Sequence, residues 1–351
     1  MNLLVIIVNY RTPKLTLDCL ASLAEQINEG PETQVIVVDN GSGDNSVEYL
    51  RQAINKNDWA QWATVMPARA NLGFAGGNNL ALDKLLDHPE ARYVLLLNSD
   101  TIVGEGVLRH CYEKMAANPS IGIMSCLLLN PDQTVQNTAR RLPTPWRMAA
   151  ISFGLPWIWP RAFSWADLDD PGWDRRTESR EVEWVGGAFM FIRRKVIDKL
   201  GGLDTRFFFY GEDVEFCRRA RRHDWIIWYD PAVAVVHLGG ASSDPSRLDP
   251  KERDALKWQA RYLMQRRCYG LAAEIFLRTV DIASFGLRFL KLLFLRRSNS
   301  PEFVALKDVL TMLLHWPVAG EASAAAGEAS AAAGEASAAA GEASAAAASK
   351  R

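Results

Sequence analysis

The chain has 351 residues, 48% apolar and 23% charged, enough for one large folded domain with an appendage. Its formal net charge of -1 speaks against a dedicated nucleic-acid binder. Five scattered cysteines without a Cys-x-x-Cys pair speak against a disulfide framework or a cysteine-held zinc, and point to a reducing compartment.

No basic stretch precedes the first apolar run, so no secretory signal is expected, and no run reaches the ~18 apolar residues of a membrane span. Three short runs rich in Val, Ile and Leu lead the chain, at 3–8, 35–38 and 93–97. Runs of this kind predict strands buried on both faces, as in a parallel sheet. Apolar spacing predicts a helix over 16–26 between the first two strands, and helices over 46–55 and 78–86 between the second and third. This alternation implies right-handed crossovers and an α/β fold with a mostly parallel sheet. The strands end in polar clusters: Asn9-Tyr10-Arg11, Asp39-Asn40-Gly41 and Asn98-Ser99-Asp100. Ligands of open α/β sheets bind beyond the carboxyl ends of strands, so the three clusters predict one shared site.

Residues 143–181, rich in Trp, Pro and charge, read as a long irregular connection of the kind that forms lids. Next come an apolar segment over 184–192 broken at Gly186-Gly187, a helical turn over 196–200 and a helix over 212–222. One or two strands follow over 226–237. From 249 the character changes to a basic helix over 249–269 and a longer helix over 271–295. In the longer helix Glu274, Arg278, Asp281, Arg288 and Lys291 fall within an arc of about 140°. Residues 251–297 hold eleven Lys/Arg against four Asp/Glu. Four Gly-Glu-Ala-Ser-Ala-Ala-Ala repeats, from Gly320 onward, lack the large apolar positions of a coiled coil and predict a disordered tail. The expected division is a catalytic unit over 1–248, a basic amphipathic extension over 249–318 and the tail over 319–351.

Each polar cluster has a chemical and a bland reading. Asp100, after a strand, can hold a divalent cation that binds a diphosphate, or can tighten a turn. Asp39 can accept from the imide N–H of uracil or thymine, or can close a turn. The Gly-rich loop from Asn71 to Asn79 opens a helix, yet matches neither the P-loop nor the dinucleotide fingerprint. Glu212-Asp213 stands at a helix start, where the dipole favours an ionised carboxylate that can take a proton, or simply caps the helix. His237 after an apolar strand is a core histidine or a metal ligand.

The order Val-Asn-Tyr, Val-Val-Asp-Asn-Gly-Ser, Asn-Leu-Gly-Phe, Leu-Asn-Ser-Asp, Trp-Val-Gly-Gly-Ala, Gly-Glu-Asp-Val-Glu-Phe, His-Leu-Gly-Gly resembles glycosyltransferase family 2, and most its rhamnosyltransferase-type branch. The resemblance covers about residues 3–240 and implies the GT-A fold. It implies that Asn9, Tyr10, Arg11 and Asp39 surround the donor base, and that Asn71, Gly73, Asn78, Asn98 and Asp100 line the donor pocket. It places Trp184, Gly186, Gly187 and Glu212 near the acceptor and makes Asp213 the catalytic base. Asp100 and His237, with the donor diphosphate, would hold Mg2+ or Mn2+. The first metal-motif position is Asn98 where the family pattern has Asp, and an amide is a weaker ligand. The implied reaction is inverting transfer of a sugar, rhamnose favoured, from a dTDP or UDP donor to a hydroxyl of a glycan or polyprenyl-diphosphate-linked acceptor. The amphipathic extension fits a cytoplasmic enzyme peripheral to the plasma membrane. Competing readings are a nucleotidyltransferase, which lacks its glycine loop after the first strand here, a non-catalytic sugar-nucleotide or glycan binder, and a membrane scaffold. An oligomer is left open.

Overall fold

The computed structural model describes residues 2–27, 30–208, 210–239, 250–297 and 300–315. Gly240, the boundary expected at 248 and the repeat tail lie outside these. The first half runs β1 (Leu3–Asn9), α1 (Pro13–Ile27), β2 (Thr33–Asp39), α2 (Ser46–Lys56), β3 (Ala63–Pro67), α3 (Gly73–Leu82), β4 (Tyr93–Asn98), β5 (Thr101–Val103), α4 (Val107–Ala117) and β6 (Ile121–Leu129). The second half begins with β7 (Ala139–Arg140), α5 (Pro145–Ser152), α6 (Leu155–Ile158), α7 (Pro160–Phe163), β8 (Arg180–Glu181), β9 (Trp184–Val185) and β10 (Phe189–Arg193). It continues with α8 (Arg194–Leu200), α9 (Glu212–Arg221) and β11 (Ile226–His237). Three helices close the described chain: α10 (Pro250–Tyr269), α11 (Leu271–Phe294) and α12 (Pro301–His315).

Most strands build one sheet in the order β3-β2-β1-β4-β10-β6-β11-β5, with β8 beside β11, and β7 and β9 pair as a separate antiparallel ribbon. The first four are parallel, which follows from the α1, α2 and α3 crossovers between them. β10 enters antiparallel between β4 and β6. Side chains of a strand alternate between faces. Leu3, Val5 and Ile7 of β1 pack with Leu20 and Leu23 of α1 on one face. Leu4 and Ile6 pack with Ala75 and Ala81 of α3 on the other. Burial on both faces is the reason β1, β2 and β4 read as unbroken apolar runs.

The connection over 143–181 contains α5, α6 and α7 and is pinned at several points by arginines. Arg140 meets Asp169 at 2.6 Å, Arg141 meets Asp170 at 2.7 Å and Arg147 meets Glu183 at 2.6 Å. Loop composition is visible in the sequence; the pairing that fixes it is long-range and is not.

α10 lies on α9, with Leu263, Met264 and Cys268 packed on Phe207 and Val214. α11 turns Glu274, Arg278 and Asp281 of its charged arc inward, while Arg288 and Lys291 stay exposed. Asp281 is buried and accepts from Ser152 Oγ at 2.5 Å, Arg261 Nε at 3.0 Å and Tyr262 Oη at 3.0 Å. Asp281→Ala leaves the Arg261 guanidinium facing a buried void, so a loss of about 3 kcal/mol is expected in urea unfolding, with Asp281→Asn losing less. An unchanged midpoint for the alanine variant would show that the network does not hold α11 in place.

Candidate active site

The parallel strands bring their polar ends to one edge. Asn9 stands opposite Asp39, and Val8 opposite Asn98, in the sheet register. Asp39 is buried and held: Asn9 Nδ2 donates to its Oδ1 at 2.7 Å, Ser42 Oγ donates to the same oxygen at 2.6 Å, and Ser42 N donates to Oδ2 at 3.2 Å. A carboxylate has about four acceptor positions, so this cradle leaves capacity on Oδ2 for a ligand donor. Asn9 is itself fixed by Thr16 Oγ1, which donates to its Oδ1 at 2.9 Å. Arg11 adopts a left-handed backbone, φ 57°, and its N–H reaches Ser42 Oγ at 2.9 Å while its Nε reaches Ser42 O at 2.8 Å. Its guanidinium lies 5.2 Å from the Tyr10 ring centroid.

Asn40 ties this edge to the glycine loop. Its Nδ2 donates to Asn71 Oδ1 at 3.0 Å and Gly73 O at 3.1 Å, and its Oδ1 accepts from Leu72 N at 3.0 Å. Gly73 has φ +70°, and a Cβ there would stand 2.5 Å from Phe208 O. Only glycine fits both demands. Asn78 is buried in α3 and donates to Phe74 O at 2.9 Å, so it shapes the loop's helix from within. Asn40 lies within the Asp39-Asn40-Gly41 cluster but is given no role by the sequence; its turn-rich surroundings hide its part as a brace.

β10 runs opposite to β4, so its start lies at the same edge. Asn98 N donates to Ala188 O at 3.0 Å, directly after Gly187. Gly187 N donates to Asp213 Oδ2 at 3.1 Å, and Val214 N donates to Asp213 Oδ1 at 2.8 Å. A Cβ on Gly187 would press within 3.0 Å of the Phe74 ring. The Gly186-Gly187 break thus lets α9 approach the sheet edge and sets Asp213 next to the Asn98 strand end. Trp184 donates from Nε1 to Arg141 O at 3.0 Å and Gly186 N donates to Thr138 O at 2.7 Å, which fix the segment.

Glu212 and Asp213 occupy the first turn of α9, where the dipole favours acids. Burial nevertheless dominates. It pushes the Glu212 carboxyl up to about 8, with the neighbouring Asp213 charge adding to the rise. Burial also raises Asp213 above the usual aspartate range, opposed by the N–H donors of Val214 and Gly187. Asp213 is the more exposed of the two and has those donors, so it carries the negative charge while Glu212 keeps a proton. The dipole alone would have predicted two ionised acids; desolvation decides otherwise.

A raised folded-state value means stability that is present at low pH and lost as pH rises through it. Wild-type melting temperature is therefore expected to fall between about pH 4.5 and about pH 8 through Glu212. Glu212→Gln keeps the shape of the protonated acid and removes this dependence. The variant should match wild type at the acid end and melt about 5 °C higher at the alkaline end. Parallel curves in a scanning-fluorimetry pH series would show that Glu212 ionises normally.

His237 closes the site from β11, paired in register with Thr101. Its Nε2 stands 3.3 Å from Asp100 Oδ1 and 3.2 Å from Asn98 Nδ2. Gln136, which no motif marks, faces the other ring nitrogen at 2.8 Å and donates from Nε2 to His237 O at 2.7 Å. Gln136 Oε1 accepts from Nδ1–H, which leaves the Nε2 lone pair turned toward Asp100.

The profile of Glycosyl transferase family 2 matches residues 4–201, more than half of the chain. The chain belongs to glycosyltransferase family 2. It is 27% identical over 215 residues to an N-acetylglucosaminyl-diphospho-decaprenol L-rhamnosyltransferase of Mycobacterium tuberculosis, a match covering 58% of this chain and 66% of that protein. It is also 27% identical over 295 residues to a low-salt glycan biosynthesis hexosyltransferase of Haloferax volcanii, covering 84% of this chain and 85% of that one. A mannosyltransferase from Pyrobaculum calidifontis, solved in complex with GDP-Man and Mn2+, shares the fold at TM-score 0.53 and 15% identity, over 89% of this chain and 84% of that one. That fold is the GT-A type expected from the motifs.

The family 2 match ends before Asp213 and His237. Their placement rests on the contacts above. Among the described residues no group of three His, Cys, Asp or Glu could hold a metal by itself. A family 2 site with a diphosphate donor does not need one, because phosphate oxygens and water complete the shell of a hard cation. Two cis ligands with bonds of about 2.1 Å stand about 3 Å apart. The Asp100–His237 separation of 3.3 Å fits that pair; the carboxylate oxygen suits Mg2+ or Mn2+, and the imidazole nitrogen suits Mn2+ better than the harder Mg2+.

Proposed function

We propose that this family 2 chain is an inverting glycosyltransferase that moves a hexosyl or deoxyhexosyl group, rhamnose favoured, from a dTDP or UDP donor to an acceptor hydroxyl. The observation that carries it is the short path Asp213–Gly187–Ala188–Asn98, which links a carboxyl raised by burial to the strand end after which Asp100 meets His237.

The chemistry follows from those positions. Asp213 takes the proton of the acceptor hydroxyl as its oxygen forms a bond to the anomeric carbon. The bond from that carbon to the diphosphate oxygen breaks, and the nucleoside diphosphate leaves. A cation held by Asp100 and His237 would supply charge stabilisation for the departing diphosphate. Asp39, Asn9, Arg11 and Tyr10 hold the donor base end; Asn71, Gly73 and Asn98 shape the space between. Glu212, protonated near neutral pH, can donate a hydrogen bond to the acceptor. One displacement inverts the anomeric centre, and no second carboxylate has to act as nucleophile.

The acceptor we infer is a lipid-linked glycan in envelope or surface polysaccharide synthesis. The Mycobacterium tuberculosis relative, whose name gives a diphospho-decaprenol acceptor, supports that reading. Catalysis is assigned to residues 1–248, with 249–318 as attachment at the inner membrane surface. The test is release of nucleoside diphosphate from a panel of UDP-, dTDP- and GDP-sugars, with Mg2+, Mn2+ or EDTA. Cation-dependent release from one donor supports the reading. No release and no donor-induced thermal shift with any of them overturns it.

A further inference from the structure

α11 is oriented the wrong way round for a helix at a water-facing surface. The acids of its charged arc are inside: Glu274 and Asp281 are each 1% exposed, and Asp281 is bound by Ser152, Arg261 and Tyr262. Glu274 meets Arg278 at 3.0 Å within the same buried layer. The opposite face carries Leu287, Leu290 and Phe294, at intervals of three and four residues, and leaves them outside. Phe294 is 90% exposed. A helix that hides its acids and shows its leucines has a second apolar environment to meet.

The segment after α5 adds exposed aromatic side chains. Ser152, at the end of α5, accepts through its carbonyl from Ser284 Oγ at 2.5 Å and Arg288 Nη2 at 2.7 Å. α6 starts three residues later and carries Trp157, with Trp159 directly after it; the two are 72% and 58% exposed. Exposed cations stand at the C-terminal end of α11: Lys291, Arg296 and Arg297. Among the described residues no helix is long and apolar enough to cross a membrane.

We propose that the outer face of α11, with Trp157 and Trp159, docks flat on an anionic lipid bilayer. Leucine and phenylalanine enter the acyl boundary, the tryptophans sit at headgroup depth, and the cationic end meets lipid phosphates. Charge selects this occupant over a second copy of the chain. A twofold contact through this face would set the cationic end near its own image, which repels. The docking reading deepens the inner-surface attachment proposed above, yet its test is independent of transfer.

The experiment is flotation of the full-length protein with vesicles of phosphatidylcholine alone or mixed with phosphatidylglycerol. Wild type should float with the anionic vesicles and be released by high salt. The double variant Leu290→Glu/Phe294→Glu changes only exposed side chains, so it should melt like wild type, and its anionic-vesicle binding should drop about tenfold or more. Arg296→Glu/Arg297→Glu should lose the preference for anionic over neutral vesicles. Donor hydrolysis should persist in both, which separates failure of docking from failure of the transferase reading. Equal flotation of the glutamate double variant overturns the proposal. So does a wild type that ignores anionic vesicles, or a solution dimer that this variant dissociates.

Discussion

Asp213→Asn is expected to lower kcat for sugar transfer by about a thousandfold while leaving the donor KM within a few-fold. The reason is the division of labour in the site. Asp213 is held by Gly187 N and Val214 N, and in the proposed reading it faces the acceptor. In the same reading the donor base binds around Asp39, on a different strand. Losing the proton acceptor raises the barrier of the displacement without disturbing the residues that bind the base. Burial raises the Asp213 carboxyl, so the acid limb of wild-type kcat should lie above the ordinary aspartate range and activity should fall as pH drops through it. A second consequence is specific to the pair. The Asp213 charge contributes to the rise of Glu212, so the variant should show a shallower decline of melting temperature toward about pH 8. Stopped-flow or coupled assays of nucleoside diphosphate release, run beside a pH series of melts, read both effects. Retained kcat within tenfold would show that another group takes the proton. Glu212 is then the first suspect, and its own proton near neutral pH argues against it.

Much of this site could be read from the sequence because its chemistry sits where strand patterns end. The runs that became β1, β2 and β4 are buried on both faces, so their limits are sharp and their terminal Asn9, Asp39 and Asn98 stand out. Asp213 was marked by two adjacent acids opening a helix, and that helix begins at Glu212. Other parts have no local mark. β6 is buried along its whole length, yet a nine-residue run that is mostly apolar, with Gly122 and Ser125 inside it, fits strand or helix equally. β10 enters the sheet antiparallel through contacts with strands far away in sequence. Gln136 acts on His237 across a hundred positions of chain, through one side chain and one carbonyl. The Glu212 value is set by desolvation, which depends on what packs above the helix start. α11 is the clearest case. Periodicity gives the charged arc, but it cannot say which side of the helix the protein takes. The buried Arg261–Asp281 contact decides that, and it reverses the orientation a water-soluble helix would have.

Asp100→Ala is expected to remove the cooperation between donor and cation, and with it about two to three orders of magnitude of kcat/KM at a fixed Mn2+ concentration. In the proposed reading two of the described side chains, Asp100 and His237, share the cation, and they stand 3.3 Å apart. Neither suffices alone, and the diphosphate must bring the remaining oxygens. Wild type should therefore gain little thermal stability from Mn2+ by itself, some from nucleoside diphosphate, and more from both than the two gains added. That excess is binding linkage and requires no turnover. Asp100→Ala should bind nucleoside diphosphate through the Asp39 end and show no excess with Mn2+. EDTA should bring wild type to the level of the variant, and added Mn2+ should restore only wild type. Gln136→Leu provides the finer test. It leaves both ligands in place and removes the acceptor that fixes the His237 Nδ1 proton, so the excess should shrink about tenfold in apparent cation affinity without vanishing. An excess that survives in Asp100→Ala would place the cation elsewhere on the donor. An excess absent from wild type, together with hydrolysis indifferent to EDTA, would mean that the departing diphosphate is neutralised by protein side chains. Arg11 would then be the nearest fixed positive charge on the donor side, held as it is by Ser42 O at 2.8 Å.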